Sequence, residues 1–247
     1  MKISDVKKDL RDLANKERIK DYQRFFKTGK GEYGEGDIFL GVTVPNTRKV
    51  AKKYSEIPLE IVGKLVRSKY HEERLLALLI LVEKFQKIAK LEKSHSIRVE
   101  PLQVTKKQIF DLYLRNIRYV NNWDLVDLSA HKIVGAYLQD KDRKLLYKLA
   151  RSNDLWEKRI SIISTFWFIK DNDFKDTLKI SEILLCDKHD LIHKAVGWTL
   201  REVGKKDMKV EEKFLKKYYM KMPRTMLRYA IEKFPENLRK KYLKGKI

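Results

Sequence analysis

Residues 155–170, "LWEKRISIISTFWFIK", begin a pattern that returns twice further along the chain. The segments "LIHKAVGWTLREVGKK" at 191–206 and "RTMLRYAIEKF" at 224–234 also place a basic residue early in an apolar helix. These basic residues, 35 and then 34 positions apart, are Arg159, Lys194 and Arg228. Such an interval is the length of one helix pair in an α-solenoid. Because stacked helix pairs make a curved body, we expect a concave inner surface that can hold a duplex.

The rest of the chain has the same helical pattern. Only five prolines and ten glycines interrupt it, and apolar residues recur at spacings of three and four, whereas strand-like alternation is hard to find. "HEERLLALLILVEKF", with Arg74, is an earlier helix of this kind. No linker divides the array, so we predict one all-α domain over residues 1–247. The predicted helices are 4–27, 45–55, 58–68, 70–92, 105–118, 122–139, 142–152, 154–170, 174–186, 190–204, 209–220, 223–234 and 235–243.

The chain is strongly basic. Its 247 residues include 56 Lys and Arg against 34 Asp and Glu, a formal net charge of +22. This excess is larger than solubility requires and indicates a polyanionic partner. Duplex nucleic acid is the first candidate, followed by RNA and anionic membrane surfaces.

Several features predict the compartment. The N-terminal stretch "MKISDVKKDLRDL" lacks the apolar run of a signal peptide. The most apolar stretch, Leu75 to Val82, is far shorter than the roughly 20 residues of a membrane-spanning helix, so we interpret it as a buried core helix. Cys186 is the single cysteine, which excludes an internal disulfide and fits a reducing compartment. We expect a cytoplasmic monomer that has no membrane partner.

Half of the glycines lie in "KTGKGEYGEGDIFLG", residues 27–41. Three of them have the spacing G-x-G-x-x-G. That dinucleotide fingerprint requires a preceding strand and a parallel sheet, whereas a helix precedes it here. We therefore interpret the segment as a flexible connection whose backbone amides, with Lys27 or Lys30, contact phosphate.

The segment "VNNWDLVDLSAHKIVGAYL" at 120–138 places a carboxylate on an apolar helix face. Trp123 and Asp127 lie one turn apart, and the face continues with Ala130, Val134 and Leu138. Burying a carboxylate there is costly unless it has a partner. Asp127 therefore either forms a structural ion pair, for which Arg159 is suitable, or takes part in chemistry. One of the two asparagines before the tryptophan caps the helix, which places the indole at the positive end of the helix dipole.

The helix that begins at Asp190 has two different faces. At 100° per residue its packed stripe consists of Ile192, Val196, Thr199 and Val203. The opposite side carries Lys194, Trp198, Arg201 and Lys205. Trp198 therefore either packs against the next repeat through Leu191 or offers an aromatic face to nucleic acid between phosphate-binding cations.

His189 and His193 have the spacing of two zinc ligands on a helix. The glutamate of an HExxH motif is missing, and no cysteine or third histidine is near. We therefore predict no metal site and no cofactor.

Four motifs together resemble the DNA alkylation repair family, the AlkD-type alkylpurine DNA glycosylases. They are "NNWDLVD" at 121–127, "LWEKRISII" at 155–163, "KAVGWTLRE" at 194–202 and "MLRYAIEKFPE" at 226–236. "GEYGEGDIFLGVTVPNTRKVAKKY" at 31–54 also resembles members of this family. The resemblance implies a right-handed α-solenoid of HEAT-like repeats whose concave basic face holds damaged duplex DNA. It also implies release of 3-methyladenine or 7-methylguanine as free bases.

The family's pattern assigns roles to residues of this chain. The tryptophan and aspartate of the Trp-Asp motif and the tryptophan of the Gly-Trp motif, which line the reaction site, fall on Trp123, Asp127 and Trp198. The phosphate-gripping arginine falls on Arg159. We expect the DNA backbone to be bound by Arg159, Lys194, Arg201, Lys205 and Lys30. Two other classes stay open, namely a noncatalytic module that binds damaged or branched DNA and a helical repeat that binds protein or RNA.

Overall fold

The computed structural model describes residues 2–94 and 104–247, and it confirms the all-α prediction for them. This part of the chain has no strand, and Ile38 and Tyr70 form one isolated parallel bridge. The chain divides into two compact units, Met1–Ile133 and Val134–Ile247, called unit 1 and unit 2 below. The single domain predicted over residues 1–247 stays a prediction.

Unit 1 is built around one long helix, α5. Its described helices are α1 (Ile3–Arg11), α2 (Glu17–Phe25), α3 (Val44–Lys53), α4 (Leu59–Val66), α5 (His71–Lys93), α6 (Lys106–Arg115) and α7 (Trp123–Ala130). Helix α5 packs on α3, α4, α6 and α7. From Leu75 to Val82 every residue of α5 is at most 2% exposed, which confirms the predicted core helix. No helix among the described residues is long and apolar enough to span a membrane.

Unit 2 contains the three segments that gave the repeat spacing. Its helices are α8 (Lys144–Ala150), α9 (Leu155–Ser164), α10 (Phe166–Ile169), α11 (Lys175–Ile183), α12 (Asp190–Lys206), α13 (Met208–Tyr218), α14 (Arg224–Ala230) and α15 (Glu236–Leu243). Helix α9 packs on α12, and α12 packs on α14, so the three repeated segments are successive neighbours. Helices α8, α11 and α13 pair with this row, since α8 contacts α9 while α11 and α13 contact α12.

Gly197 explains why α12 and α14 pack so closely. A Cβ atom at this position would lie 2.4 Å from the Met226 carbonyl oxygen and 2.5 Å from Tyr229 Cβ. Any side chain here would therefore force the two helices apart, since packed cores do not absorb such overlaps without strain. The glycine of the Gly-Trp motif has a structural role of its own.

The prediction of one helix over 4–27 is wrong, because the chain leaves the helix between α1 and α2. Asn15 fixes this break with its backbone N–H, which donates to Leu40 O at 3.2 Å. Its side-chain Oδ1 accepts from Glu17 N at 2.9 Å and so satisfies one free amide at the start of α2. A hydrogen bond to a residue 25 positions away is not visible in helical periodicity.

The helix predicted over 122–139 changes its geometry part-way. Regular α7 ends at Ala130, and a π-helical turn follows at His131–Gly135. Such turns are rare and frequently occur at functional sites. Because the wider turn shifts the register of all later side chains, the face of Trp123 and Asp127 does not continue regularly to Leu138.

Candidate nucleic-acid interface

The start of α7 is held by a buried asparagine. Asn122 is fully buried, and its Oδ1 accepts a hydrogen bond from Trp123 N at 2.8 Å. This contact confirms the predicted asparagine cap. Asn122 Nδ2 in turn donates to Asp37 Oδ2 at 3.1 Å. The position of Trp123 is therefore tied to the glycine-rich segment, 85 residues earlier.

Asp37 belongs to a buried set of charged groups, which we call the His71 network. His71 lies between two carboxylates, with Nδ1 3.1 Å from Asp37 Oδ2 and Nε2 2.9 Å from Asp124 Oδ2. Arg74 Nη2 donates to the other oxygen of Asp37 at 2.5 Å. The network, all of it at most 8% exposed, consists of Asp37, His71, Arg74, Asn122 and Asp124. Every member thus has a charged or hydrogen-bonding partner, as buried polar groups require.

The electrostatics of the His71 network favour an imidazolium. Burial alone would lower the pKa of His71, but the charge and hydrogen bond of Asp124, with those of Asp37, raise it to about 9. Burial also acts to raise the pKa of Asp37, yet His71, Arg74 and Asn122 outweigh it and lower that pKa. Two cations and two carboxylates then balance, which is the condition for keeping such groups out of water.

Aromatic rings cover the His71 network and hold the indole of Trp123. Phe26 stacks on Trp123 with ring centroids 5.3 Å apart and planes at 25°, and on Phe39 at 5.2 Å. Phe39 in turn lies 4.7 Å from the His71 ring. Phe25 meets Trp123 edge-on at 5.5 Å and is 62% exposed. Because Trp123 is half-buried, it presents a rigid aromatic surface that solvent can reach.

Asp127 lies one turn after Trp123 on α7 and is also half-buried. Its charge acts on Tyr113, whose pKa is raised mainly by complete burial and further by this carboxylate. The Tyr113 hydroxyl is 3.2 Å from Ser129 Oγ. The sequence thus correctly placed the indole and the carboxylate on one helix. The ion pair with Arg159 and the catalytic role of Asp127 both stay predictions.

The glycine-rich loop satisfies two of its own backbone amides. Gly29 N donates to Glu32 Oε2, and Gly31 N donates to Glu35 Oε2, each at 2.8 Å. Lys30 lies between these glycines and is exposed. Phosphate contact by the two amides would require the carboxylates to move away, whereas Lys30 needs no such change. Its role in DNA binding stays a prediction.

Helix α12 in unit 2 has the two faces that its sequence predicts. Ile192, Val196, Thr199 and Val203 are completely buried. On the other side Trp198 is half-buried and its ring centroid is 4.6 Å from that of Phe166. The cations of this face are paired with carboxylates: Lys194 with Asp190 at 2.7 Å, Lys205 with Glu202 at 2.7 Å, and Arg201 with Glu202 at 3.4 Å and with Glu232.

Arg159 differs from those cations because it is only 4% exposed. Its Nη1 donates to Leu191 O, just inside the start of α12, at 2.5 Å. The guanidinium is thus held at the junction of α9 and α12. Of the predicted site residues, Lys30, Trp123 and Asp127 lie in unit 1, and Arg159, Lys194, Trp198, Arg201 and Lys205 lie in unit 2.

The two histidines with zinc-like spacing take part in helix capping. His189 Nδ1 accepts from Leu191 N at 3.1 Å, and His193 Nε2 donates to Asp187 O at 2.5 Å. Within residues 2–94 and 104–247, no group of three His, Cys, Asp or Glu side chains is arranged to hold a metal ion.

Comparison with known proteins identifies the family. The profile of the family described as DNA alkylation repair enzyme matches residues 6–234. The chain belongs to this family. A "Predicted DNA alkylation repair enzyme from Enterococcus faecalis" has a similar structure, with a TM-score of 0.67 and 14% identity over 91% of this chain and 98% of that one. A search of curated proteins gives no match.

A second similar structure links the fold to HEAT-like repeats. It represents "a new family of proteins related to the HEAT-like repeat DNA glycosylases with affinity for branched DNA structures". Its TM-score is 0.59 at 15% identity, and the match covers 100% of this chain and 96% of that one. At such identity the likeness shows a shared fold. The resemblance found in the sequence, to a DNA alkylation repair fold of helical repeats, is therefore confirmed.

The sequence did not reveal how this DNA alkylation repair protein holds its Trp-Asp motif. The sequence does contain one signal of buried ion pairs. The segment "HEER" places three charged residues directly before the most apolar stretch of the chain, and charged side chains at the start of a core helix need partners. Nothing in the sequence pairs His71 with Asp37 or Asp124. Phe25 and Phe26 were similarly missed, because adjacent aromatics at a helix end do not indicate what they contact.

Proposed function

We propose that this DNA alkylation repair protein is a DNA glycosylase that excises positively charged alkylpurines, such as 3-methyladenine and 7-methylguanine, from duplex DNA. The observation that carries the proposal is the geometry of α7. Trp123 is pinned by Phe25 and Phe26 and still reaches solvent, and Asp127 follows one turn later. Family membership and the net charge of +22 support a DNA substrate.

The chemistry of the substrate sets what the protein must supply. An alkylated purine of this kind already carries a positive charge, so the electron pair of the breaking C1′–N bond neutralises the base as it leaves. No general acid is needed. The deoxyribose becomes cationic at C1′, and water then adds there and loses a proton. Catalysis therefore requires stabilisation of the sugar cation and placement of one water.

Asp127 is the residue proposed to meet that requirement. Its carboxylate would stabilise the developing positive charge and accept a hydrogen bond from the attacking water, as preorganised electrostatics does in other enzymes. Trp123 and Trp198 would each present an electron-rich ring to the sugar, an attraction that grows as the sugar gains charge. A pocket for a flipped-out base is not required, because recognition acts on the charge of the lesion and on the sugar.

The basic residues are proposed to bind DNA phosphates. Arg159, Lys194 and Arg201, with Lys205 and Lys30, would fix the position of the duplex without reading its sequence. An exposed cation such as Lys205 can leave its carboxylate partner and bind a phosphate instead, because a surface ion pair contributes little free energy in water. Release of counterions from the DNA would then favour binding at low salt.

Replacement of Asp127 by Asn tests the proposal. The protein is incubated with duplex containing 7-methylguanine, and free base is measured by chromatography. We expect the Asp127→Asn variant to lose excision by about 10²- to 10³-fold, the range seen when one preorganised electrostatic group is removed, while its DNA affinity stays unchanged. The matched control is Asp140→Asn, since Asp140 is an exposed carboxylate in a turn. Full activity of Asp127→Asn would reject the proposed role.

The charge of the lesion gives an independent arm of the same experiment. Duplex containing the neutral base hypoxanthine should yield no free base above background, because nothing in the proposed mechanism activates a neutral leaving group. Equal release of hypoxanthine and 7-methylguanine would show that a general acid is at work and would contradict the mechanism.

A noncatalytic DNA-binding protein is the second candidate. It is favoured by one structural relative, whose family is described as having affinity for branched DNA. This candidate predicts that the wild-type protein binds a four-way junction more tightly than a linear duplex and releases no free base from methylated DNA. The excision assay and a junction-binding measurement together separate the two candidates.

A further inference from the structure

A cavity of about 330 Å³ lies beside the second half of α5 in unit 1. One wall is formed by the turn between α3 and α4, and the opposite wall by α5 and the start of α6. Among the described residues, the apolar part of its lining consists of Ile57, Pro58, Leu59, Ile88, Leu91 and Val104. Its polar part consists of Glu56, Lys84, Lys87 and Gln108. The volume is near the lower end of the range of ligand pockets, roughly 300–1,000 Å³, so an occupant would be small.

Lys84 distinguishes this cavity from an ordinary surface cleft. Lys84 is only 8% exposed, and it lines the cavity. Among residues 2–94 and 104–247 it forms no hydrogen bond or ion pair. Burial lowers the pKa of Lys84, which the charge of Glu56 partly opposes and that of Lys87 reinforces. Because most of the Lys84 side chain is buried and no carboxylate lies within ion-pair distance of its ammonium among the described residues, the site favours an anionic ligand.

The neighbouring charges limit the charge of that ligand. Glu56 is already paired with Lys87, whose Nζ is 2.9 Å from Glu56 Oε1, and both side chains are about 60% exposed at the mouth of the cavity. This pair is neutral, so among the described residues of the lining one positive charge, on Lys84, is uncompensated. Gln108 has its Oε1 occupied by Thr105 N at 2.8 Å, which leaves its amide N–H groups as further donors at the rim. A single negative charge would balance the site.

The apolar residues of the lining determine what the uncharged part of the ligand can be. Ile57 is fully buried and Ile88 is 5% exposed, while Leu59, Leu91 and Val104 are half-buried. These side chains offer an aliphatic wall with few hydrogen-bonding groups, which favours a hydrocarbon chain over a sugar or a peptide. We propose that the cavity binds a small aliphatic monocarboxylate, with its carboxylate at Lys84 and its hydrocarbon chain against Ile57, Leu59 and Ile88. This site is separate from the proposed excision chemistry, which uses none of these residues.

The test uses hexanoate with two probes of the same chain length, hexan-1-ol and hexylammonium. Each is titrated into the full-length protein by isothermal calorimetry. We expect saturable binding of one hexanoate per chain and at least ten-fold weaker binding of the other two, since only hexanoate carries the balancing charge. Equal binding of hexan-1-ol would overturn the proposal, because it would show an apolar cavity without anion recognition. Absence of saturable hexanoate binding would overturn it as well.

Variants locate the interaction. Lys84→Met shortens the side chain by one atom, removes the charge and suits an apolar setting, so we expect a folded protein that binds hexanoate at least ten-fold more weakly. Lys90→Met is the matched control, because Lys90 is an exposed lysine on the same helix that does not line the cavity, and its affinity should stay within two-fold of wild type. Leu59→Trp fills the cavity without changing its charge and should also abolish binding. Unchanged hexanoate affinity in Lys84→Met or in Leu59→Trp would reject the site.

Discussion

The two tryptophans that were predicted as site residues, one in each unit, have contrasting surroundings. Trp123 rests on Phe26 and follows an asparagine cap that is bound to the buried His71 network. Trp198 packs on Phe166, and the cations on its helix face are held by surface carboxylates. In the first environment charges are buried and mutually dependent, whereas in the second they are solvated and individually weak.

This difference indicates two separate uses of charge. The His71 network fixes the start of α7 and therefore the orientation of the indole. The ion pairs of α12 cost little to break, so their cations can bind phosphate instead. We infer that unit 1 holds Trp123 on a rigid element, whereas α12 of unit 2 carries exchangeable cations. Each of the following changes tests one side of this contrast.

Removal of His71 should have the largest effect. His71→Ala leaves Asp124 and Asp37 buried without the cation between them, although Arg74 still reaches Asp37. Breaking a buried charged set by removing one member costs about 3–5 kcal/mol. We expect urea denaturation to show a loss of this size in the free energy of unfolding. Lys90→Ala, an exposed change on the same helix, should shift stability by no more than about 0.5 kcal/mol.

The pH dependence of the wild type checks the same network. The pKa of His71 is raised from 6.5 to about 9 in the folded protein. A raised histidine pKa means that the stabilisation is complete below pH 6.5 and is lost as pH rises through 9. The difference in stability between wild type and His71→Ala should therefore shrink over this interval. A constant difference from pH 6 to pH 9 would show that His71 acts through packing alone.

Glu211 in unit 2 provides a buried acid that lacks the partners of the His71 network. It is 1% exposed, and its Oε1 has no hydrogen-bond partner within the described residues. Burial raises the pKa of Glu211 to about 9, although Arg201 acts to lower it. The folded protein thus retains a proton that the unfolded chain loses above pH 4.5, so stability falls as pH rises from 4.5 to 9.

Glu211→Gln should remove that pH dependence. We expect its free energy of unfolding, relative to wild type, to increase by up to about 4 kcal/mol between pH 5 and pH 8, since each pH unit between the pKa values of the unfolded and folded states contributes about 1.4 kcal/mol. The measurement is urea denaturation at both pH values. Glu212→Gln is the matched control, since Glu212 is the adjacent, half-buried residue of α13 and should leave the pH profile of the wild type unchanged.

Local sequence patterns predicted the surface features of α12 and the cap of α7 much better than the buried His71 network. The faces of α12 follow from 3.6-residue periodicity, and the cap of α7 follows from the preference of asparagine for that position, because both depend on neighbours within a few residues. The His71 network joins Asp37, His71 and Asp124, which lie 34 and 53 residues apart. Hydrogen bonds between such distant segments are set by tertiary packing. The helix break at Asn15 and the π-helical turn after Ala130 were not predicted, because they too do not follow from local helical periodicity.

The smallest change concerns the carboxylates that compete with DNA for the cations of α12. Arg201 is paired with Glu232 and approaches Glu202 at 3.4 Å. If these pairs are exchangeable, Glu232→Gln should strengthen binding of duplex DNA by about two- to five-fold at low salt, since a surface ion pair is worth up to roughly 1 kcal/mol. Binding is measured by fluorescence anisotropy over a series of salt concentrations, where the gain should fade as screening increases.

A matched variant distinguishes local exchange at Arg201 from a general gain of positive charge. Glu236→Gln changes the net charge by the same amount, but Glu236 pairs with Arg239 and Lys240 in α15 rather than with Arg201. If Arg201 is the phosphate ligand, Glu232→Gln increases affinity more than Glu236→Gln does, and Arg201→Gln cancels the increase. Equal gains from both glutamate variants would mean that long-range attraction accounts for the effect. In that case α12 would contribute to the overall field of the protein without binding phosphate through Arg201.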